Sequence, residues 1–458
     1  MICSYSVSRV FKFHCGHWRN FVRLFLLPGF IGMQIYNALH YFIGCCEENR
    51  FNSIIFVLMD DLIKIVNSLA SDMMDEVIAI RRAIHAYPEI AFDEFKTSAL
   101  IRQKLTAWGI HFQAGIATTG VVALIEGYNP EGPVIALRAD MDALPVEEKN
   151  DAVYASTRPG YMHACGHDAH TAMVLGAGKI IHSLREYFSG KVMLIFQPSE
   201  EMYPGGAKVM LEEGLFGRIK PDILFAQHVL PELNAGTMGL RPGQYMASTD
   251  EFYIRVKGKG GHGATPHLNI DPIVIAAEII MALQTLVSRN ANPAMPTVIS
   301  VGKMIADGMP NVIPDTVDME GIIRTFDEIW RKELHQLVKE TAKGIAKTSG
   351  GTSEVNIAHG YPALYNNPEI TERVKNYAYT FWGKPNVAEL PQRMTADDMA
   401  YFLKEVPGTY YRLGTGNPEK GIISNLHSST FDIDEDTLLP GMAFLAYITL
   451  SELEREKK

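Results

Sequence analysis

The sequence predicts an α/β fold, a sheet flanked by helices and interrupted by a smaller inserted unit. Three observations predict it. From about Asp72 onward, short β-branched runs alternate with amphipathic helical patterns, the order that lays helices on the faces of a sheet. Polar residues of one chemical kind follow several apolar strand runs: Asp140 and Asp142, Glu200 and Glu201, and His228. Sites in open α/β sheets collect at the carboxyl ends of the strands. Finally, the order changes near Ser248 to β-α-β-β-α-β, a ferredoxin-like unit, and the first pattern resumes after about Tyr361.

In chain order, residues 1–58 are unlike the rest. They carry five Lys/Arg against two Asp/Glu within a chain of net charge −10, and four of the five cysteines, Cys3, Cys15, Cys45 and Cys46. The run LFLLPGFIGMQIYNALHYFIGCC, residues 24–46, is uncharged and long enough to cross a bilayer. Pro28, Gln34, Asn37 and His40 interrupt it. It reads as a membrane anchor, as an unusual signal segment, or as an upstream extension with translation starting at Met59. The last fits best, because a self-sufficient globular pattern begins just after it.

MMDEVIAIRRAIHAYPE then has helical spacing and stops at Tyr87-Pro88, and FKTSALIRQKLTAWG is a second helix ending at Gly109. GVVALIEG, PVIALRADMD, KVMLIFQPSEE and DILFAQHV read as strands. TAMVLGAGKIIHSLREYF is a helix between the second and third of these. The inserted unit follows with strand EFYIRVKGKGG, helix DPIVIAAEIIMALQTLVSR, strands TVISVGKMI and VDMEGIIRTF, helix EIWRKELHQLVKETAKGIAK and strand SEVNIAHG. The first domain closes with helices PEITERVKNYAYTFWG and ADDMAYFLKEV, strand TYYRLG, a loop bearing His427, and a last helix through DEDTLLPGMAFLAYITLSELERE. Boundaries fall at 59–247 with 360–458 for the first domain and 248–359 for the insertion.

The acidic balance excludes a nucleic-acid partner. Cys165 alone serves residues 47–458, so this body has no disulfide framework, which suits a reducing, cytoplasmic compartment. Membrane association enters only through residues 24–46.

The chemistry centres on Tyr161–His170, YMHACGHDAH, which packs His163, Cys165, His167, Asp168 and His170 together. Thiolate, imidazole and carboxylate are the ligands of a borderline-soft divalent metal. In an extended segment Cys165 and His167 would point the same way and reach one ion. Glu200-Glu201 is the second pair. Adjacent residues of an extended segment face opposite sides, so one glutamate can hold metal while the other takes a proton from water. His228 and His427 alone are each as readily core or loop histidines. With Cys165, His167 and Glu201 they make five ligands, enough for two divalent ions.

These motifs resemble the M20 metallopeptidase family, in particular its amidohydrolase branch of hippurate, N-acyl-amino-acid and indole-acetyl-amino-acid hydrolases. The matching stretches are RRAIHAYPEIAFDEFKTS, ALRADMDALPVEE, MHACGHDAHTAM, FQPSEEMYPGGAKVMLEEG, GKGGHGATPH, NVIPD and LHSSTFDIDED. The resemblance implies a metal-dependent hydrolase domain with a mixed central sheet, and an inserted lid and dimerisation domain. It implies two divalent ions, manganese, zinc, cobalt or nickel, held by Cys165, His167, Glu201, His228 and His427. Glu200 would be the general base and then the acid for the leaving amine, and Asp142 would orient a ligand. His262 would stabilise the oxyanion, often from the other subunit, while Asn311 and Arg324 would bind the substrate's carboxylate or carbonyl. Asp140 stands where the peptidase branch has the first histidine of its HxDxxP motif, which is the amidohydrolase pattern. The expected substrate is an N-acyl amino acid, and the expected assembly is a homodimer or higher homo-oligomer. N-acetyl-diaminopimelate deacetylation, small-peptide hydrolysis and a catalytically silent binding protein are the alternatives.

Overall fold

The structure, a computed structural model, describes residues 48–455. Residues 24–46, on which the anchor and signal readings rest, lie outside the described residues. Contacts divide the chain into Met1–Leu62 and Ile63–Lys458, and the strands described below all fall within 63–458.

The first described helix, α1 (Glu48–His85), starts well before the expected Asp72. Its buried Val66, Ala70, Val77, Ile80 and Ile84 recur at helical spacing, so one apolar stripe extends upstream of the stretch that carried the pattern. Then follow α2 (Phe95–Ala107), β1 (His111–Ile116), β2 (Gly120–Glu126), β3 (Asn129–Asp140), α3 (His167–Ser183), β4 (Ser189–Gln197), α4 (Gly206–Glu212), β5 (Ile223–Asn234), β6 (Met238–Leu240) and β7 (Gly243–Met246). The second sheet is built from β8 (Asp250–Lys257), β10 (Thr297–Ile305), β12 (Thr316–Thr325) and β13 (Thr352–His359). The short strands β9 (Gly261–His262) and β11 (Val312–Ile313), and helices α5 (Pro272–Thr285) and α6 (Glu328–Thr348), lie between them. The chain returns through β14 (Leu364–Asn366), α7 (Pro368–Trp382), β15 (Val387–Glu389), α8 (Met399–Glu405), β16 (Gly408–Gly416) and α9 (Leu438–Arg455).

The large sheet has eight strands in the order β1-β2-β4-β3-β5-β16-β6-β15. Its centre is parallel, β4-β3-β5-β16, and its flanks are mixed. Strands buried on both faces read as unbroken apolar runs, and every residue of β16 is buried. The second sheet has the order β10-β12-β8-β13 with all neighbours antiparallel. Along β8 buried and exposed residues alternate, so one face packs on α5 and α6 and the other meets solvent. Its core gathers Phe252, Ile254, Ile279, Leu283, Leu334 and Val338. Asp271 and Asp327 cap α5 and α6 by accepting from their first-turn amides. The stretch Pro272–Asn290 is long and apolar enough to cross a membrane by length and composition, but its Ile275, Ala276, Ile279 and Leu283 belong to this core.

Two features set the site. β3 ends at Asp140 and β4 at Gln197, side by side. His228, expected after its strand, instead lies within β5. The reason is that β5 outlasts one neighbour: its pairing with β3 stops at Arg138↔Ala226, while its pairing with β16 runs on to Gly416↔Asn234. His228 is therefore level with Asp140, the last residue of β3, although still within its own strand.

Candidate active site

Cys165 and His167 are not in an extended segment. Cys165 is in a turn, Gly166 is left-handed at φ 82°, and His167 opens α3. A Cβ on Gly166 would sit 2.5 Å from Val229 Cγ2, so this turn closes on β5 only with glycine. Glu200 and Glu201 are not extended either. Ser199 is left-handed at φ 50°, and the pair follows it in a bend. What orients them is Asp142, whose Oδ1 accepts from Glu200 N–H and Oδ2 from Glu201 N–H, each at 2.9 Å.

The five expected ligands meet here. Atoms of Cys165, His167 and His228 lie within 4.8 Å of one another, and so do atoms of Cys165, Glu201 and His427. Cys165 is common to both groups. His167, Glu200 and Glu201 form a third group of the same span. Cys165 Sγ is 3.4 Å from His228 Nε2, and His427 Nε2 is 3.1 Å from Glu201 Oε1. His427 has φ 62° and donates its N–H to Ala164 O at 2.8 Å. That bond fastens its loop to the turn bearing Cys165.

The hydrogen bonds assign the tautomers. His167 Nδ1 donates to Asp142 Oδ1 at 3.3 Å and His228 Nδ1 to Val229 O at 2.7 Å. Both Nε2 lone pairs are thus left for the cluster, and His167 Nε2 is buried with no hydrogen-bond partner, 3.7 Å from Asp140 Oδ2 and 4.0 Å from Glu201 Oε1. Burial, then Glu201, Glu200 and Asp140, push the Cys165 thiol well above its usual range. Burial, then Asp397, Glu201, Asp398 and Asp142, do the same to the Glu200 carboxyl. A dense group of buried acids with bare imidazole nitrogens is a site that cations complete. The residues present therefore fit a pair of divalent metals.

Two members of the metal-like stretch are committed elsewhere. His170 donates from Nδ1 to Asp140 Oδ1 at 2.6 Å and accepts on Nε2 from Val229 N–H at 2.9 Å. Asp168 accepts from Arg81 Nε at 2.7 Å and lies 2.7 Å from His85 Nδ1. Although burial opposes it, Arg81 and then His85 hold Asp168 well below the usual carboxylate range. His163 is buried without a partner on either nitrogen, and among the described residues no ligand group includes it.

Three expected residues stand apart, in the segment that carries the second sheet. His262 is exposed on β9, opposite Val312 in the register, and its Nδ1 accepts from Ala264 N–H at 3.0 Å. Asn311 adjoins it, its carbonyl accepting from Gly263 N–H at 2.9 Å. Arg324 is half-buried on β12. Burial lowers its pKa, against the attraction of Asp250 and Glu251.

Sequence reasoning missed a second acidic group. Glu200, Asp397 and Asp398 bring carboxylate oxygens within 4.8 Å of one another. Arg138 joins them, donating to Asp398 at 3.0 Å, to Asp140 at 2.6 Å and to Gln197 at 2.8 Å. Burial and Asp397, against Arg138, push the Asp398 carboxyl up to about 8. The available signal was ADDM before a helix, which reads as a locally satisfied cap.

A metal centre flanked by a buried carboxylate, at the strand ends of an α/β sheet, is the device of metal-dependent hydrolysis, and this protein is a metal-dependent amidohydrolase. The model described as peptidase family M20/M25/M40 matches residues 136–451, and the chain belongs to that family. The chain is 40% identical over 375 residues to an N-acetyl-L-cysteine deacetylase of Bacillus subtilis, covering 82% of this chain and 88% of the relative. It is 40% identical over 384 residues to thermostable carboxypeptidase 1 of Saccharolobus solfataricus, covering 83% and 96%. The crystal structure of the Bacillus subtilis YXEP protein, described as a dinuclear metal-binding peptidase, matches with TM-score 0.73 and 32% identity, covering 84% of this chain and 99% of that one.

Proposed function

We propose that this enzyme hydrolyses the amide bond of N-acyl amino acids to a carboxylate and a free amino acid. The observation that carries the reading is the buried Glu200 beside two ligand groups that share Cys165. The deacetylase relative supports the substrate class.

In this reading Cys165, His167, Glu201, His228 and His427 would hold two divalent ions, of manganese, zinc, cobalt or nickel, with Cys165 common to both. When bound, such ions supply Lewis-acid polarisation of the acyl carbonyl and make water acidic enough to deprotonate near neutral pH. Glu200 takes a proton from the attacking water on its carboxylate and returns it to the departing nitrogen. A carboxyl whose surroundings favour its protonated form is suited to that second step. Asp142 keeps His167 in the tautomer that leaves Nε2 bare, and fixes the Glu200 and Glu201 amides. His262 donates to the oxyanion, and Asn311 and Arg324 bind the substrate's carboxylate or carbonyl. Among the described residues the Arg324 side chain has no hydrogen-bond or ion-pair partner, which supports a ligand-binding role, since a fork of donors is matched to a carboxylate. The second sheet's domain acts as lid and dimerisation surface. Val274 and Met281 of α5 are 53% and 69% exposed on an apolar helix, and β10 is a sheet edge.

The carboxypeptidase relative favours small peptides as a second reading, since the same groups would cleave a peptide bond. A panel of N-acetyl, N-benzoyl and indole-acyl amino acids and dipeptides, with and without chelator, tests both. Turnover of an N-acyl amino acid that chelator abolishes and added metal restores supports the first. Turnover of dipeptides alone replaces it with the second.

A further inference from the structure

We infer that Tyr361 is a positioning residue for Glu200, tying the peptide that carries the base to the two segments that join the large sheet to the second; this rests on the reading of Glu200 as the base. The chain crosses to the second sheet at residues 247–250 and returns at 359–364. The crossings are locked together. Thr249 N–H donates to Tyr361 O at 2.9 Å, and Gly360 N–H donates to Asp250 Oδ1 at 3.0 Å. Arg331 of α6 donates to Asp250 Oδ1 at 2.7 Å and to Gly360 O at 2.9 Å. A Cβ on Gly360 would lie 1.8 Å from Thr249 O, so the approach needs glycine.

From this crossing the Tyr361 side chain reaches the other way. Its hydroxyl donates to Glu200 O at 2.6 Å, and the residue is buried. The same peptide unit is held from its opposite side, because the Glu201 N–H donates to Asp142 Oδ2 at 2.9 Å. The plane joining Glu200 and Glu201 is therefore gripped by its carbonyl and its N–H, the first from the crossing and the second from the end of β3. Rotation of that plane would swing both glutamate side chains. The Tyr361 ring is held too: Tyr203 stacks on it at 5.4 Å and 6°, and Tyr401 meets it edge-on at 6.1 Å. Tyr203 itself follows the glutamate pair, so the packed rings return to the same loop. The base is thus registered against the root of the second sheet and not against its own strand alone.

Tyr361→Phe keeps the stacked ring and removes one hydrogen bond. At saturating metal, kcat is expected to fall about tenfold while KM stays within about twofold. Hydrogen exchange of the Glu201 and Met202 amides should quicken. Tyr203→Ala, at an exposed position, removes the stack instead and should shift both readouts the same way by less. A tyrosine that merely stabilises the fold would leave kcat at saturation unchanged. Unchanged kcat in Tyr361→Phe overturns the inference, and so does a kcat loss without faster exchange at these amides. If the wild type hydrolyses no N-acyl amino acid, the functional reading fails instead, and the exchange measurement still reports whether Tyr361 grips this peptide.

Discussion

Glu200 is the residue on which the proposed chemistry turns. Glu200→Gln keeps size and hydrogen-bonding capacity but cannot take the proton, so kcat should fall by ~10²–10⁴-fold. Metal content, read by elemental analysis, should stay at the wild-type level. Cys165 belongs to both ligand groups, and Cys165→Ala should weaken metal binding at least about tenfold in a chelator competition. Asp142 grips His167 and two amides at once, and Asp142→Asn should cost about 10- to 100-fold in metal affinity. Wild-type affinity in that variant would remove Asp142 from the support of the site. At this scale the ligand types were legible because thiol, imidazole and carboxylate side by side have few other uses. The partners of Asp168 and His170 were not legible. Arg81 is 87 positions from Asp168 and Asp140 is 30 positions from His170, and no local pattern pairs them.

The elements carrying these residues meet by close approach. α3 starts where Gly166 lets the turn touch β5, and Gly166→Ala would place a Cβ both at φ 82° and 2.5 Å from Val229. The expected cost is about 1–3 kcal/mol, read as a lower denaturation midpoint in urea, with metal affinity falling too. Arg81 of α1 adds a second tie. It donates to Asp168 next to His167, and also to Asp432 at 2.9 Å and Glu435 at 3.2 Å, just after the His427 loop. Strand and helix positions were readable from periodicity, and so was the loop that enters α3, whereas the left-handed conformations at Gly166 and Ser199 were not. A left-handed residue leaves no trace in a hydrophobic pattern, and serine in particular gives no cue to it.

Across the whole molecule, Asp250 fastens the second sheet at its root. Burial would raise its pKa, but bonds from Arg331 and then His335 hold the carboxyl well below the usual range. With the folded pKa depressed, the stabilisation is complete above about pH 4 and is lost as pH falls through the folded value. The thermal-midpoint gap between wild type and Asp250→Asn should accordingly be widest near neutrality and narrow below about pH 4. A gap independent of pH would assign the loss to packing. The exposed Val274 and Met281 lead to a second expectation at this scale. Light scattering at micromolar concentration should give a dimer, and Met281→Glu should shift it toward monomer.

The sequence by itself determined the α/β alternation, the β-α-β-β-α-β order around the second sheet, the metal-like stretch at 161–170 and the glutamate pair, because each is written in residues close together in the chain. Only the tertiary structure decided which acids cluster with Glu200, which histidines are spent on internal bonds, and how Asp142, Arg81 and Tyr361 register the site. Those outcomes depend on strand order, on where β5 outruns β3, and on turns in unusual backbone conformations. Each follows from long-range packing, which leaves no period in the sequence to read.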